Sequence, residues 1–201
     1  MKVDGKFNGA IAGIGTSSGV RLVIGMWPDS PLGSFADVMV QTADGTRILL
    51  APNEEAAEFV SATYSFDHVR IQPVKLRRSG VRWGISTPDL TVDFATGRRH
   101  PLGWLLQLVP RWLSLNLLWT RAIDPIARVL VPGVRTVGTA GNGRGEWYSA
   151  LDMHNIQGVT GTFDSVDLGD LRNVSPPVTF GFGSTPQVPS LVRLVTTVRT
   201  R

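Results

Sequence analysis

The sequence predicts a mainly β protein: an antiparallel β-barrel or curved sandwich, with a helical cap inserted at about residues 102–131. Three observations carry this reading. The 201-residue chain spends 22 glycines and 13 prolines as turn punctuation. Between those breaks lie short β-branched and aromatic runs of strand length. One stretch alone, His100 to Gly133, changes to helical spacing, and it holds three of the six tryptophans. The length suits one domain with a sizeable core, so residues 1–201 are read as a single β-rich unit.

Taken in order, residues 1–19 are rich in glycine and close on Thr16-Ser17-Ser18-Gly19, which reads as a loose, turn-rich lead-in. Val20 to Gly25 is a β-branched run of strand length, and the prolines of Trp27-Pro28-Asp29-Ser30-Pro31 end it. Phe35–Gln41 and Thr46–Leu50 flank Ala43-Asp44-Gly45, a hairpin signal. Asn53 is a good N-cap for a helix running to about Tyr64, with Glu54 and Glu55 at its positive end and Ala56, Ala57, Phe59, Val60 and Tyr64 on its apolar side. Phe66–Val74, Val81–Ser86 and Leu90–Phe94 read as strands.

The central segment repeats Leu102, Leu105, Leu106 and Val109, then Trp119, Ile123, Ile126, Ala127 and Leu130, at helical intervals. Pro110 and Pro125 divide it, with Asp124-Pro125 expected as a cap pair. It is too interrupted by proline, Arg111 and polar residues to span a bilayer. Its tryptophans and basic flanks (Arg98, Arg99, Arg111, Arg121) partly match a helix lying in the membrane interface. A helix pair packed on the β-body is the expectation, and a ligand lid is its more interesting form. After Gly133 strand spacing returns over Val134–Val137, Glu146–Ile156, Val159–Val166, Val178–Phe182 and Leu191–Val198.

Composition excludes several chemistries. Without cysteine there is no disulfide, thiolate catalysis or cysteine-ligated metal. His68, His100 and His154 stand far apart with no metal-ligand pairing, so no metal is expected. A net charge of +4 is carried by scattered arginines without a recognition motif, which makes nucleic acid an unlikely partner. Gly138 to Gly145 lacks the GK[ST] of a P-loop and is followed by strand-like EWYSALDMH; it reads as a hairpin or bulge, and no cofactor is implied. No G-x-S-x-G elbow is present. The first residues lack a signal-peptide apolar core, so a cytoplasmic location is expected.

One strand collects polar chemistry. With a period of two, Glu146, Tyr148, Ala150, Asp152 and His154 point one way, and Trp147, Ser149, Leu151, Met153 and Asn155 the other. Either the first set lines an interior, or Trp147, Leu151 and Met153 fill the core and the polar set is the wet face. Asp29, Ser30 and Asp37 lie near the Trp27-Pro28 turn, but their spacing assigns them no pocket.

The phrases GTSSGVRLVIGMWPDSPLGSFADVMV, LLAP, TYSFD, GVRTVGTAGNGRGEWY and PPVTFGFGSTP together resemble a group of conserved bacterial proteins of about this length whose activity is unassigned. The resemblance covers most of the chain and implies no activity. A β-body with a helical cap is also similar in architecture, though not in sequence signature, to a lipocalin-type calyx.

Three functions follow as expectations. The first is binding of an apolar or amphipathic small molecule in a lidded barrel-like pocket, with Arg144, Glu146, Tyr148 and His154 as polar groups and Trp104 and Trp112 in the lid. The second is an isomerase, cyclase or hydratase on the same scaffold, with Glu146, Asp152 or His154 as acid or base and Tyr148 as donor. The third is an interaction module or homodimer using the apolar 102–131 face.

Overall fold

A single curled sheet dominates the computed structural model, which describes residues 4–131, 134–139, 143–181 and 183–200, the side chains of Arg144 and Thr200 excepted. Its strands are β1 (Gly5–Thr16), β2 (Arg21–Asp29), β3 (Phe35–Gln41), β4 (Arg47–Ala51), β5 (His68–Ile71), β6 (Lys75–Ser79), β7 (Arg82–Ser86) and β8 (Leu90–Arg99), followed by β9 (Val137–Gly138), β10 (Arg144–Phe163), β11 (Val166–Asp167), β12 (Leu171–Arg172) and β13 (Ser190–Thr200). The helices are α1 (Glu54–Ser61), α2 (Pro101–Leu108), α3 (Arg111–Ser114) and α4 (Leu117–Leu130). The expected mainly β class with a helical insertion is what the chain forms.

The main order is β5-β4-β3-β2-β1-β13-β10-β8-β7-β6, with short β9, β11 and β12 joining at the sides. Neighbours pair antiparallel except β4 and β5, which run parallel. The ladder stops at β5 and β6, so the sheet is an open half-barrel rather than a closed calyx. Side chains close the gap instead. Arg70 of β5 reaches Asp89 and Asp164, beyond the ends of β7 and β10, at 3.0 and 2.7 Å. Inside the curl, Ile24, Val38 and Leu50 share one core with Ile85, Val92, Phe94 and Phe163. The opposite face of β2–β4 is also covered: Val23, Met39 and Leu49 pack against Ala57 and Val60 of α1 and against Val174, Val178 and Phe180. A sheet buried on both faces explains why several strands read as continuous apolar runs rather than alternations.

The hairpin and α1 form as their local chemistry demands. β3 and β4 pair around the Asp44-Gly45 turn, and Asn53 Oδ1 accepts the Ala56 N–H at 2.9 Å as the N-cap of α1. The expectation for the first residues is corrected. The glycine-rich lead-in is β1, flanked by β2 and β13 near the middle of the sheet. Its glycines are there for proximity, since a Cβ at Gly9 would lie 2.0 Å from the Met26 carbonyl oxygen. The two strands expected over 146–166 are one long β10, in which Gly158 sits at a register shift instead of a turn. Val178 to Gly181 is not a strand but part of the segment covering β2–β4.

The helices of the insertion lie against β10, and polar groups hold them there. The His100 N–H donates to the Met153 carbonyl at 2.9 Å, and Gln107 Nε2 donates to Asp152 at 3.3 Å. Thr120 meets the Ser149 hydroxyl at 3.3 Å. Gly103 lies so close to β10 that a Cβ would stand 2.4 Å from the Met153 carbonyl oxygen. Asp124 is not a cap: it lies within α4, buried, and accepts the Thr136 N–H at 2.7 Å.

Candidate functional site

On the α1-covered face, β10 brings Glu146 and Tyr148 under the end of α1, where they meet Thr63 and Tyr64. Thr63 Oγ1 donates to Glu146 Oε1, and the Tyr148 hydroxyl donates to Glu146 Oε2, each at 2.5 Å. The Tyr64 hydroxyl stands 2.5 Å from that of Tyr148. A phenol has one proton to give, and Tyr148 gives its own to the carboxylate. Tyr64 is therefore the donor to Tyr148. All three hydroxyl protons run toward Glu146, a residue only 4% exposed.

This chain separates two hollows. The larger, about 150 Å³, is almost wholly apolar, walled by Ile11, Val23, Met39, Phe180, Val192 and Leu194, with Tyr64 and Tyr148 supplying hydroxyls and residues 134–136 and 183–186 along its side. The smaller, about 50 Å³, is lined by Asp37, Glu146, Thr63 and Thr196 among Phe7, Trp27 and Phe59. Tyr64, Tyr148, Ile11, Val23 and Met39 border both. The Thr196 hydroxyl is buried beside the smaller hollow and makes no hydrogen bond among the described residues. A buried unpaired hydroxyl next to an empty space invites a polar occupant.

Electrostatics follow from the burial. Asp37 is 3% exposed, and loss of water pushes its carboxyl up to about 6, only partly countered by the Trp27 indole N–H that donates to it at 3.0 Å. Burial, then the neighbouring Glu146 charge, pushes both tyrosine hydroxyls above their ordinary range. The phenols therefore stay protonated at ordinary pH and act as hydrogen-bond donors.

The expected polar set on β10 is divided by a register shift between Ala150 and Asp152. Two residues there stand opposite one step of β13, so the alternation changes phase. Glu146, Tyr148 and Ala150 line the α1-side hollows, whereas Leu151, Asp152 and His154 line the open concave trough inside the curl. The single polar face expected from Glu146 to His154 is thus two faces. The wet-face alternative does not describe the strand either, because Glu146 and Asp152 are buried together with Trp147 and Met153.

Asp152 has a structural partner set. Burial pushes its carboxyl up, but the Arg99 guanidinium at 2.9 and 3.1 Å and the Met153 N–H more than offset this and hold it below its ordinary value. His154 sets Nδ1 3.1 Å from the Gly97 carbonyl and Nε2 3.4 Å from Asp152. Arg144 lies in β10 with its side chain outside the described residues, as do residues 140–142 of the glycine-rich loop.

The lid expectation is corrected as well. Trp104 and Trp112 are 61% and 73% exposed and line none of the hollows described above. The helices are anchored by their small and polar residues, which turns these tryptophans outward. His100 caps α2, its Nδ1 accepting the Leu102 N–H at 3.2 Å. His68 is exposed on β5. Among the described residues no group of histidine and acidic side chains is arranged to hold a metal.

Sequence reasoning missed Thr63, Tyr64 and Thr196 as site residues and left Asp37 without a role. Asp37 had a usable signal, an acid within the otherwise apolar run Phe35 to Val40. The others had none, because the meeting of Tyr64 with Tyr148 depends on α1 crossing a strand 84 residues away.

No family model and no curated protein matches the chain. Among solved structures, one of an acetoacetate decarboxylase is 12% identical, with a TM-score of 0.48 over 100% of this chain and 88% of that one. The acetoacetate decarboxylase of Legionella pneumophila is 11% identical, with a TM-score of 0.44 over 96% of this chain and 83% of that one. Similarity at this level transfers no activity.

Proposed function

We propose that the protein binds a small amphipathic molecule, its apolar body in the 150 Å³ hollow and its polar head on the Tyr64–Tyr148–Glu146 chain. The observation that carries this reading is that an almost wholly apolar cavity ends on a hydrogen-bonded phenol pair backed by a buried carboxylate. A hollow of about 150 Å³ lined mainly by aliphatic and aromatic groups has room for a molecule near benzene in size. The direction of the hydroxyl protons adds a constraint: a head group joining the chain has to bring its own proton. Alcohols, enols, amines and neutral acids meet it, while the buried Ser184 hydroxyl, which makes no hydrogen bond among the described residues and lines the same hollow, can serve a carbonyl oxygen.

Native mass spectrometry of gently purified protein, followed by thermal shift with benzyl alcohol and benzaldehyde, tests it. A co-purifying small molecule, or stabilisation by either compound, supports the reading. Ala150→Phe, which fills the cavity, abolishes either signal. A clean mass with no shift from either compound overturns it.

The enzymatic alternative acquires one specific support on the same hollows. Asp37, held near 6, and Glu146 line one small chamber next to the tyrosines, an arrangement suited to moving protons near neutral pH. Under this reading Glu146→Gln still binds the co-purifying molecule but does not convert it, whereas a binder shows no conversion in either form.

A further inference from the structure

The helices of the insertion turn inward what a water-facing helix normally turns outward. Their buried positions are Gly103, Ser114, Thr120 and Asp124. Their exposed positions include Trp104 (61%), Leu108 (78%), Trp112 (73%), Leu118 (74%), Ile126 (52%) and Val129 (81%). Within α4, Leu118, Ala122, Ile126 and Val129 recur on one stripe; within α2, Trp104 and Leu108 do the same. A monomeric protein in water rarely leaves such a surface uncovered.

Charge decides what covers it. From residue 98 to 131 the chain carries Arg98, Arg99, Arg111, Arg121 and Arg128 against the single acid Asp124. Asp124 is buried and paired with Arg128, and Arg99 is committed to Asp152. Arg98, Arg111 and Arg121 are exposed and no acid of the segment balances them, Arg111 at the border of the trough and Arg121 5.8 Å over the Trp147 ring. A second copy docking face to face would bring arginine against arginine with no exposed acid in the segment to balance them. An anionic bilayer offers apolar depth for the tryptophans and leucines and phosphates for the arginines. No helix of the described residues is long and apolar enough to cross a membrane.

We infer that the face formed by α2, α3 and α4 docks on the surface of an anionic lipid bilayer. Trp104, Trp112 and the neighbouring aliphatic side chains enter at headgroup level, and Arg98, Arg111 and Arg121 bind lipid phosphates. The inference is independent of the cavity reading.

The full chain is tested by flotation with phosphatidylcholine vesicles containing about 30% phosphatidylglycerol, with tryptophan emission followed on the same samples. Binding with a shift of emission to shorter wavelength is expected, weakened about tenfold or more on pure phosphatidylcholine or in about 0.5 M salt. Trp104→Ser with Trp112→Ser lowers binding by at least about tenfold, and because both side chains are exposed the circular dichroism stays unchanged. Arg98→Glu with Arg111→Glu has the same effect with every tryptophan in place. Failure of the wild type to float with anionic vesicles overturns the inference, as does undiminished binding by both variants. A dimer in light scattering that Trp104→Ser with Trp112→Ser converts to monomer, in a protein that does not bind vesicles, assigns the face to a second copy instead.

Discussion

At the scale of the residue, Asp37 shows how burial sets chemistry that spacing does not reveal. Its carboxyl titrates near 6 in the folded chain and near the ordinary 3.8 in the unfolded one. The protonated form is favoured by folding, so this stabilisation is complete below pH 3.8 and is lost as pH rises through about 6. Asp37→Asn keeps an oxygen to accept the Trp27 N–H and removes the titration. Denaturant titrations should show the variant more stable than wild type by about 2–3 kcal/mol at pH 8. The difference should shrink toward pH 4. Equal pH profiles for the two proteins would contradict the assignment. Glu146 differs from Asp37 in having two hydroxyl donors, Thr63 and Tyr148, aimed at its two oxygens.

At the scale of the element, β10 and β1 do the most to position the site. The shift between Ala150 and Asp152 sends Tyr148 to one cavity and His154 to another. Period-two reasoning identified the strand and most of its polar residues, but a single extra residue in a ladder leaves no mark in composition. The β3–β4 hairpin and α1 were legible because their signals, Asp-Gly and an asparagine N-cap, act within a few residues. β1 was not legible, because its glycines serve a neighbour from elsewhere in the chain. Gly9→Ala tests this. The added methyl has no room beside the Met26 carbonyl, so the β1–β2 pairing has to move. Thermal or denaturant unfolding should register a loss of about 1–3 kcal/mol. A neutral result would mean that this approach is less constrained than the geometry indicates.

At the scale of the whole molecule, the half-barrel holds its curl without closing its ladder. Arg70 bridges Asp89 and Asp164 and lies 5.6 Å over the Phe163 ring, joining the β5 edge to the far side of the curl. These groups are partly exposed, so screening limits their worth. Arg70→Ala should cost about 1 kcal/mol at low salt and less in about 1 M salt. A salt-independent loss would place the effect in packing on Phe163 instead of in charge.

By itself the sequence determined the fold class, the site of the helical insertion, the local hairpin, the Asn53 cap of α1, and Glu146 and Tyr148 as candidates. Each of these rests on period or on contacts within a few residues, which a linear string preserves. Only the tertiary structure decided that the sheet stays open, that Glu146 and Asp152 belong to different hollows, and that Tyr64, Thr63 and Asp37 complete the polar chain and chamber. It also decided that the apolar face of residues 101–130 points outward. That outcome depends on which side of each helix finds hydrogen-bond partners: Asp152, Ser149 and Thr136 supply them to Gln107, Thr120 and Asp124. Helical spacing names two faces, and only the partners on the sheet choose between them.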